Sequence, residues 1–217
     1  MPRVLRALQG GIEAMYRVET ALDVRDFLVG ADRGGWETER SPSEQLLIRI
    51  GQDEVELGLF VDERTLENLE RRDPGRRLDD DNLEDFLLAV EGVSHFVYVA
   101  HRARHERPVS AAELELQAEV DKFLVALLVS WNQAGAPPDI EALRERLFAR
   151  VSFAGDLSAE ERERYELANR AARRYAAALE ARYLRGRAAI ADLLAEARRF
   201  YRRGLAEKLE DVHRLAA

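Results

Sequence analysis

Between Asp80 and Trp131 the chain reads as two long helices joined by a short turn, and the first is apolar in nearly every direction. Leu83, Phe86, Leu87, Leu88, Val90, Val93, Phe96, Val97 and Val99 leave it almost no polar face. A helix hydrophobic all round belongs in the middle of a core, so other elements must wrap it. Glu91, Ser94 and His95 interrupt that surface, and polar groups buried there must find hydrogen-bond partners.

The turn at Glu106-Arg107-Pro108 closes this helix and Ser110 opens the next. Ser110 and Glu113 have the spacing of a capping box, with Val109 and Leu114 placed for a hydrophobic staple. Leu116, Val120, Phe123, Leu127 and Trp131 form its apolar stripe, while Glu115, Glu119 and Lys122 share another face. Upstream, Asp80-Asp81-Asn82 supplies the N-cap of the first helix, with Glu84 as the capping-box partner of Asp81.

The elements that must cover this pair are legible by their periods. Val4 to Val29 reads as one amphipathic helix, with Leu5, Leu8, Ile12, Met15 and Leu22 at helical spacing and Gly10-Gly11 as a point of weakness or kinking. Gly30 stops it, and Ala31 to Pro42 reads as a loop. The period then falls to two. Leu46, Ile48 and Ile50, then Val55, Leu57, Leu59 and Val61, alternate around a turn at Gly51-Gln52-Asp53, which is a hairpin pattern at about 44–62. Two strands alone are barely stable, so their apolar face should lie on helices, and their edges could accept a strand from another chain. Short helices are expected over Glu63 to Arg72 and Ile140 to Arg150.

The last third opens at Asp156-Leu157-Ser158, where Ser158 and Glu161 repeat the capping box. Tyr165, Ala168, Ala172, Tyr175 and Leu179 follow 3-4 spacing, the pattern of a coiled-coil seam. Gly186 is a reversal point, and one returning helix points Ile190, Leu193, Phe200, Tyr201, Leu205 and Val212 inward. The expected fold is therefore mainly α with one small antiparallel β-hairpin (α+β). A helical body over residues 1–156 precedes a C-terminal antiparallel helical hairpin over 157–217. That tail is too thin to bury both of its faces and needs the body or another chain.

Composition excludes several functions. The chain of 217 residues has no cysteine, which removes disulfides, thiolate metal sites and a cysteine nucleophile. No apolar run approaches the ~20 residues of a membrane span, and no secretory leader is visible, so a cytoplasmic location and no membrane partner are expected. Arginine outnumbers lysine 31 to 2, which a GC-rich coding sequence explains more readily than phosphate binding does. The net charge of −8 argues against a generally polyanion-binding surface. From Ser158 onward 14 basic residues face 10 acidic ones, leaving 19 basic and 31 acidic before it, so a mildly basic tail follows an acidic body.

Candidate sites are few. Glu91 and His95 lie one helical turn apart, as do Glu115 and Glu119 on the next helix, and antiparallel packing brings both pairs toward each other. Di-iron bundles use Glu-x-x-His pairs on facing helices, whereas this chain has Glu-x-x-x-His and only once. A structural polar network is the simpler reading. Ser94 and His95 point about 100° apart on a helix, which disfavours a hydrolytic pair. No phosphate loop or nucleophile elbow is present, and no cofactor or metal is expected.

The tail offers Arg185, Arg187, Arg198, Arg199, Arg202 and Arg203 as anion contacts, although the same residues suit a solvated face. The expectation is a non-enzymatic protein-interaction module, an adaptor or a subunit of a larger assembly. Its contacts, with another protein or a second copy, would come from Tyr165, Tyr175, Leu179, Tyr183, Phe200 and Tyr201. Nucleic-acid binding through the arginines, and a metal-dependent or hydrolytic enzyme built on Glu91, His95, Glu115 and Glu119, are the alternatives.

Overall fold

A computed structural model describes residues 3–36, 42–51, 54–149, 157–185 and 190–216, without the side chain of Ala216. Among these residues it holds eight α-helices and one two-stranded antiparallel sheet, so the protein is mainly α with a small β-hairpin. The expected turn residues Gln52 and Asp53, together with Asp156, Gly186 and Arg187, lie outside the described residues.

The apolar helix sits where its composition requires. Helix α3 (Leu83–Arg104) is buried along most of its length, with Val90, Val93, Phe96, Val97 and Tyr98 fully enclosed. Helix α4 (Ala111–Ala134) runs beside it, and α1 (Arg3–Tyr16), α2 (Glu63–Arg71) and both strands, β1 (Glu44–Ile50) and β2 (Val55–Val61), lie on its remaining sides. Gly135 ends α4 in the left-handed region at φ 67°, where its N–H bonds Trp131 O. Helix α5 (Ile140–Phe148) packs between α4 and α6 (Ala159–Leu179), and α6 lies along α4. One hydrophobic cluster runs from Leu5 in α1 to Val212 in α8 (Leu205–Ala216).

Four local expectations need correction. The first helix does not reach Val29: it stops at Tyr16, because Arg17 turns left-handed at φ 53° and Val18 N bonds back to Glu13 O. The chain then doubles back onto α1. Gln9 accepts from Val24 N and donates to Leu22 O, and Glu13 accepts from the Thr20 hydroxyl at 2.6 Å. Leu22, placed inward by a helical reading, is therefore exposed. The Gly10-Gly11 pair lies inside the continuous α1.

At the start of α3 the N-cap is Asn82, and no side-chain cap bond forms. Its amide instead holds the preceding loop, donating to Arg72 O and Arg77 O. The Ser110 half of its capping box forms, with Glu113 N donating to Oγ at 3.2 Å, but the Glu113 carboxylate turns into the core. Ser158 and Glu161 complete both halves of theirs.

The returning helix of the tail is broken in two. Helix α7 (Ile190–Tyr201) ends at Arg202–Gly204, and α8 restarts at Leu205. The reason is tertiary: Leu205 N donates to Glu113 Oε2 of α4 at 3.1 Å, so a buried carboxylate sits at the positive end of α8. The tail does not pack as an isolated hairpin. Helix α8 packs on α6, while α7 lies on α1.

Candidate functional site

Two buried polar networks branch from the middle of α3, one on each side. On the first, Glu91 and His95 of α3 meet Glu115 and Glu119 of α4, as the helical spacing anticipates. Lys122 Nζ lies 3.0 Å from Glu91 Oε2 and 2.5 Å from Glu119 Oε1. His95 lies between two carboxylates, with Nδ1 3.5 Å from Glu44 Oε1 and Nε2 3.7 Å from Glu115 Oε2. Arg164 of α6 approaches Glu115 Oε1 at 3.9 Å. Tyr165, half-buried, adjoins the same group, and nearby Glu115 adds to burial in pushing its hydroxyl up to about 12.

Electrostatics in this cluster are set by contest between burial and pairing. Burial opposes a charge on His95, yet Glu115 and Glu44 outweigh it and hold the imidazole pKa well above its ordinary value. Burial raises the Glu44 and Glu119 pKa values. Glu91 goes the other way: burial works against its charge, but Lys122 and His95 lower its pKa. Donor atoms of Glu91, His95 and Glu115 all lie within 4.8 Å of one another, so these three residues can share a cation.

Ser94 does not belong to this cluster. It faces the second network, where its hydroxyl donates to Asp121 Oδ2 at 2.5 Å. The Tyr16 hydroxyl and Gln117 Nε2 also donate to Asp121. Lys208 of α8 donates to Gln117 Oε1 at 2.7 Å and to the Tyr98 hydroxyl at 2.9 Å. Tyr98 in turn donates to Glu113 at 2.6 Å, and Arg102 lies 3.0 Å from the same carboxylate. Burial pushes Asp121 up to about 6 and Lys208 down to about 7. The chain of bonds ties α1, α3, α4 and α8 together.

Sequence reading misses Glu44, Arg164 and most of the second network, since their partners lie on other elements. One signal was present. The chain has only two lysines, Lys122 and Lys208, and both are drawn into these buried networks. A compact ammonium fits between carbonyl and carboxylate oxygens where a planar guanidinium does not.

The aromatic residues expected as contacts are largely taken up by the chain itself. Tyr175, Leu179, Phe200 and Tyr201 are buried. Tyr175 stacks on Phe200 at 4.0 Å and Tyr16 on Tyr201 at 3.9 Å. Tyr183 packs, half-buried, against the same core. The described arginines are engaged too: Arg185 by Glu180, Arg198 by Met15 O, Arg199 by Glu196 and Asp211, Arg202 by Tyr16 O and Arg203 by Glu207.

The hairpin presents a different kind of surface. Glu44, Leu46, Ile48 and Ile50 share one face of β1, opposite Val61, Leu59, Leu57 and Val55 of β2. The Glu44 and Leu59 end lies against Gly92 of α3, and burial falls toward the other end. There Ile48, Val55 and Ile50 are exposed, Ile50 at 79%. Strand β2 is flanked by a bridge between Leu28 and Leu59, whereas among the described residues no strand pairs with the outer edge of β1. A cleft of about 700 Å³ lies elsewhere, lined in part by Leu8, Leu69, Phe86, Val125 and Val129. Among the described residues no helix is long and apolar enough to cross a membrane. No protein-family model, curated protein or solved structure matches the chain.

Proposed function

We propose that this protein is a non-enzymatic interaction module, an adaptor or a subunit of a larger cytoplasmic assembly, and that it docks through its β-hairpin rather than its tail. One observation carries the reading: the apolar stripe of the sheet continues past the body into solvent, ending at Ile48, Ile50 and Val55 beside a strand edge that no strand among the described residues pairs with. Open, apolar edges invite pairing with another chain, and soluble proteins usually blunt them with charge or proline. Here Arg49 is the only charged side chain on the exposed half of β1, and it pairs with Glu56 across the hairpin. A partner strand would gain main-chain hydrogen bonds from the edge and side-chain contacts from the stripe. Burial of Tyr175, Leu179, Phe200 and Tyr201 supports a contact outside the tail.

The test pairs the solution mass of the full-length protein with that of an Ile48→Asp/Ile50→Asp variant. A multiple of 24.7 kDa that collapses to the monomer in the variant supports docking between copies. If the wild type is a monomer, a photo-crosslinking residue at position 50 decides. Capture of one defined partner there, with none from a control crosslinker at Arg182, supports the reading. Failure of both arms rejects it.

A further inference from the structure

We propose that Glu91, His95 and Glu115 bind one divalent transition-metal ion. The inference is independent of docking through the hairpin. Its first support is an arrangement that the protein alone does not satisfy. His95 Nε2 is buried without a hydrogen-bond partner, and its separation of 3.7 Å from Glu115 Oε2 exceeds useful bonding distance. Such an orphan costs about 1–3 kcal/mol, and this one is aimed at the Glu115 carboxylate.

The second support is charge. Glu44, Glu91, Glu115 and Glu119 face the two permanent cations Lys122 and Arg164. The same carboxylates hold a proton on His95, and a divalent ion would take the place of that proton as their counter-charge. The donor set also selects the class. Carboxylates with one imidazole and no thiolate suit manganese, iron or zinc better than copper(I), and the imidazole disfavours calcium and magnesium.

Geometry permits the ion. Donor atoms within 4.8 Å of one another must close to about 3.4 Å apart, a contraction of up to about 1.4 Å, to meet a tetrahedral ion at about 2.1 Å from each. Lys122 holds Oε2 of Glu91 and braces Glu119, as the outer partners of a metal site orient its ligands. The side chain of Glu91 is 20% exposed, which gives an ion a way in from solvent.

The experiment titrates the full chain, purified without a histidine tag, with Mn(II) and with Co(II). Expected are one ion per chain, ¹⁴N coupling from an imidazole in the Mn(II) electron-spin-echo signal, and a visible Co(II) spectrum of a nitrogen- and oxygen-ligated site. In His95→Gln and Glu115→Gln the affinity should fall by at least about 10-fold. A His101→Asn/His105→Asn variant, which removes two histidines one turn apart at the C-terminal end of α3, should bind as the wild type does. Failure of the folded wild type to bind either ion overturns the proposal. So does Mn(II) binding without nitrogen coupling, or loss of binding in the His101/His105 variant. If His95→Gln or Glu115→Gln does not fold, the wild-type stoichiometry and nitrogen coupling still decide.

Discussion

A Cβ on Gly92 would lie 3.0 Å from Glu44 Oε1 and 3.0 Å from Leu59 Cδ1, so the hairpin reaches α3 only because that helix lacks a side chain there. Glycine weakens a helix interior by roughly 1 kcal/mol. Here it admits a strand carboxylate beside His95.

Gly92→Ala should therefore lower stability although alanine is the better helix former. Both sheet contacts must shift, and overpacking costs about 1–3 kcal/mol. Urea denaturation of the variant checks it. A neutral or stabilising effect would show that the hairpin yields without cost.

Gly10→Ala and Gly11→Ala should do the reverse. Neither position has an atom within 4 Å of an added Cβ, and both lie inside α1. Each should stabilise by roughly 0.5–1 kcal/mol through helix propensity, seen as a higher denaturation midpoint at unchanged slope.

Glu113→Ala should be among the most destabilising single changes. It removes the acceptor of Tyr98 and of Leu205 N, and it strands the buried Arg102. Breaking a buried ion pair in this way costs about 3–5 kcal/mol. Amide hydrogen exchange should show the first turn of α8 opening before α4. Equal protection of both in the variant would mean that Glu113 does not cap α8.

Lys208 predicts a pH dependence. Burial lowers its pKa in the folded chain to about 7, while the unfolded chain holds the proton up to the ordinary value of 10.5. Between these values the unfolded state binds more protons, so stability rises with pH. The wild type should gain up to about 1.4 kcal/mol per pH unit relative to Lys208→Met across that window. Parallel stability curves from pH 7 to 10 would contradict it.

The amino-acid sequence by itself determined the elements whose signals are local. The all-round apolarity of α3, the strand alternation of 44–50 and 55–61 and the capping residues Ser110 and Ser158 each act within a few residues of themselves. It also placed Glu91, His95, Glu115 and Glu119 on facing surfaces, because two antiparallel helices have few ways to meet.

Only the tertiary structure decided where a local signal is outvoted by a distant group. The reversal after Tyr16 is held by Gln9 and Glu13, and α8 begins where Glu113 reaches Leu205. The seam of Tyr175 and Leu179 is covered by the chain's own core. Glu44 joins His95 across about 50 residues of sequence because Gly92 leaves room for it. Period and propensity report what a segment prefers alone. They do not report which buried charge waits for it on another element.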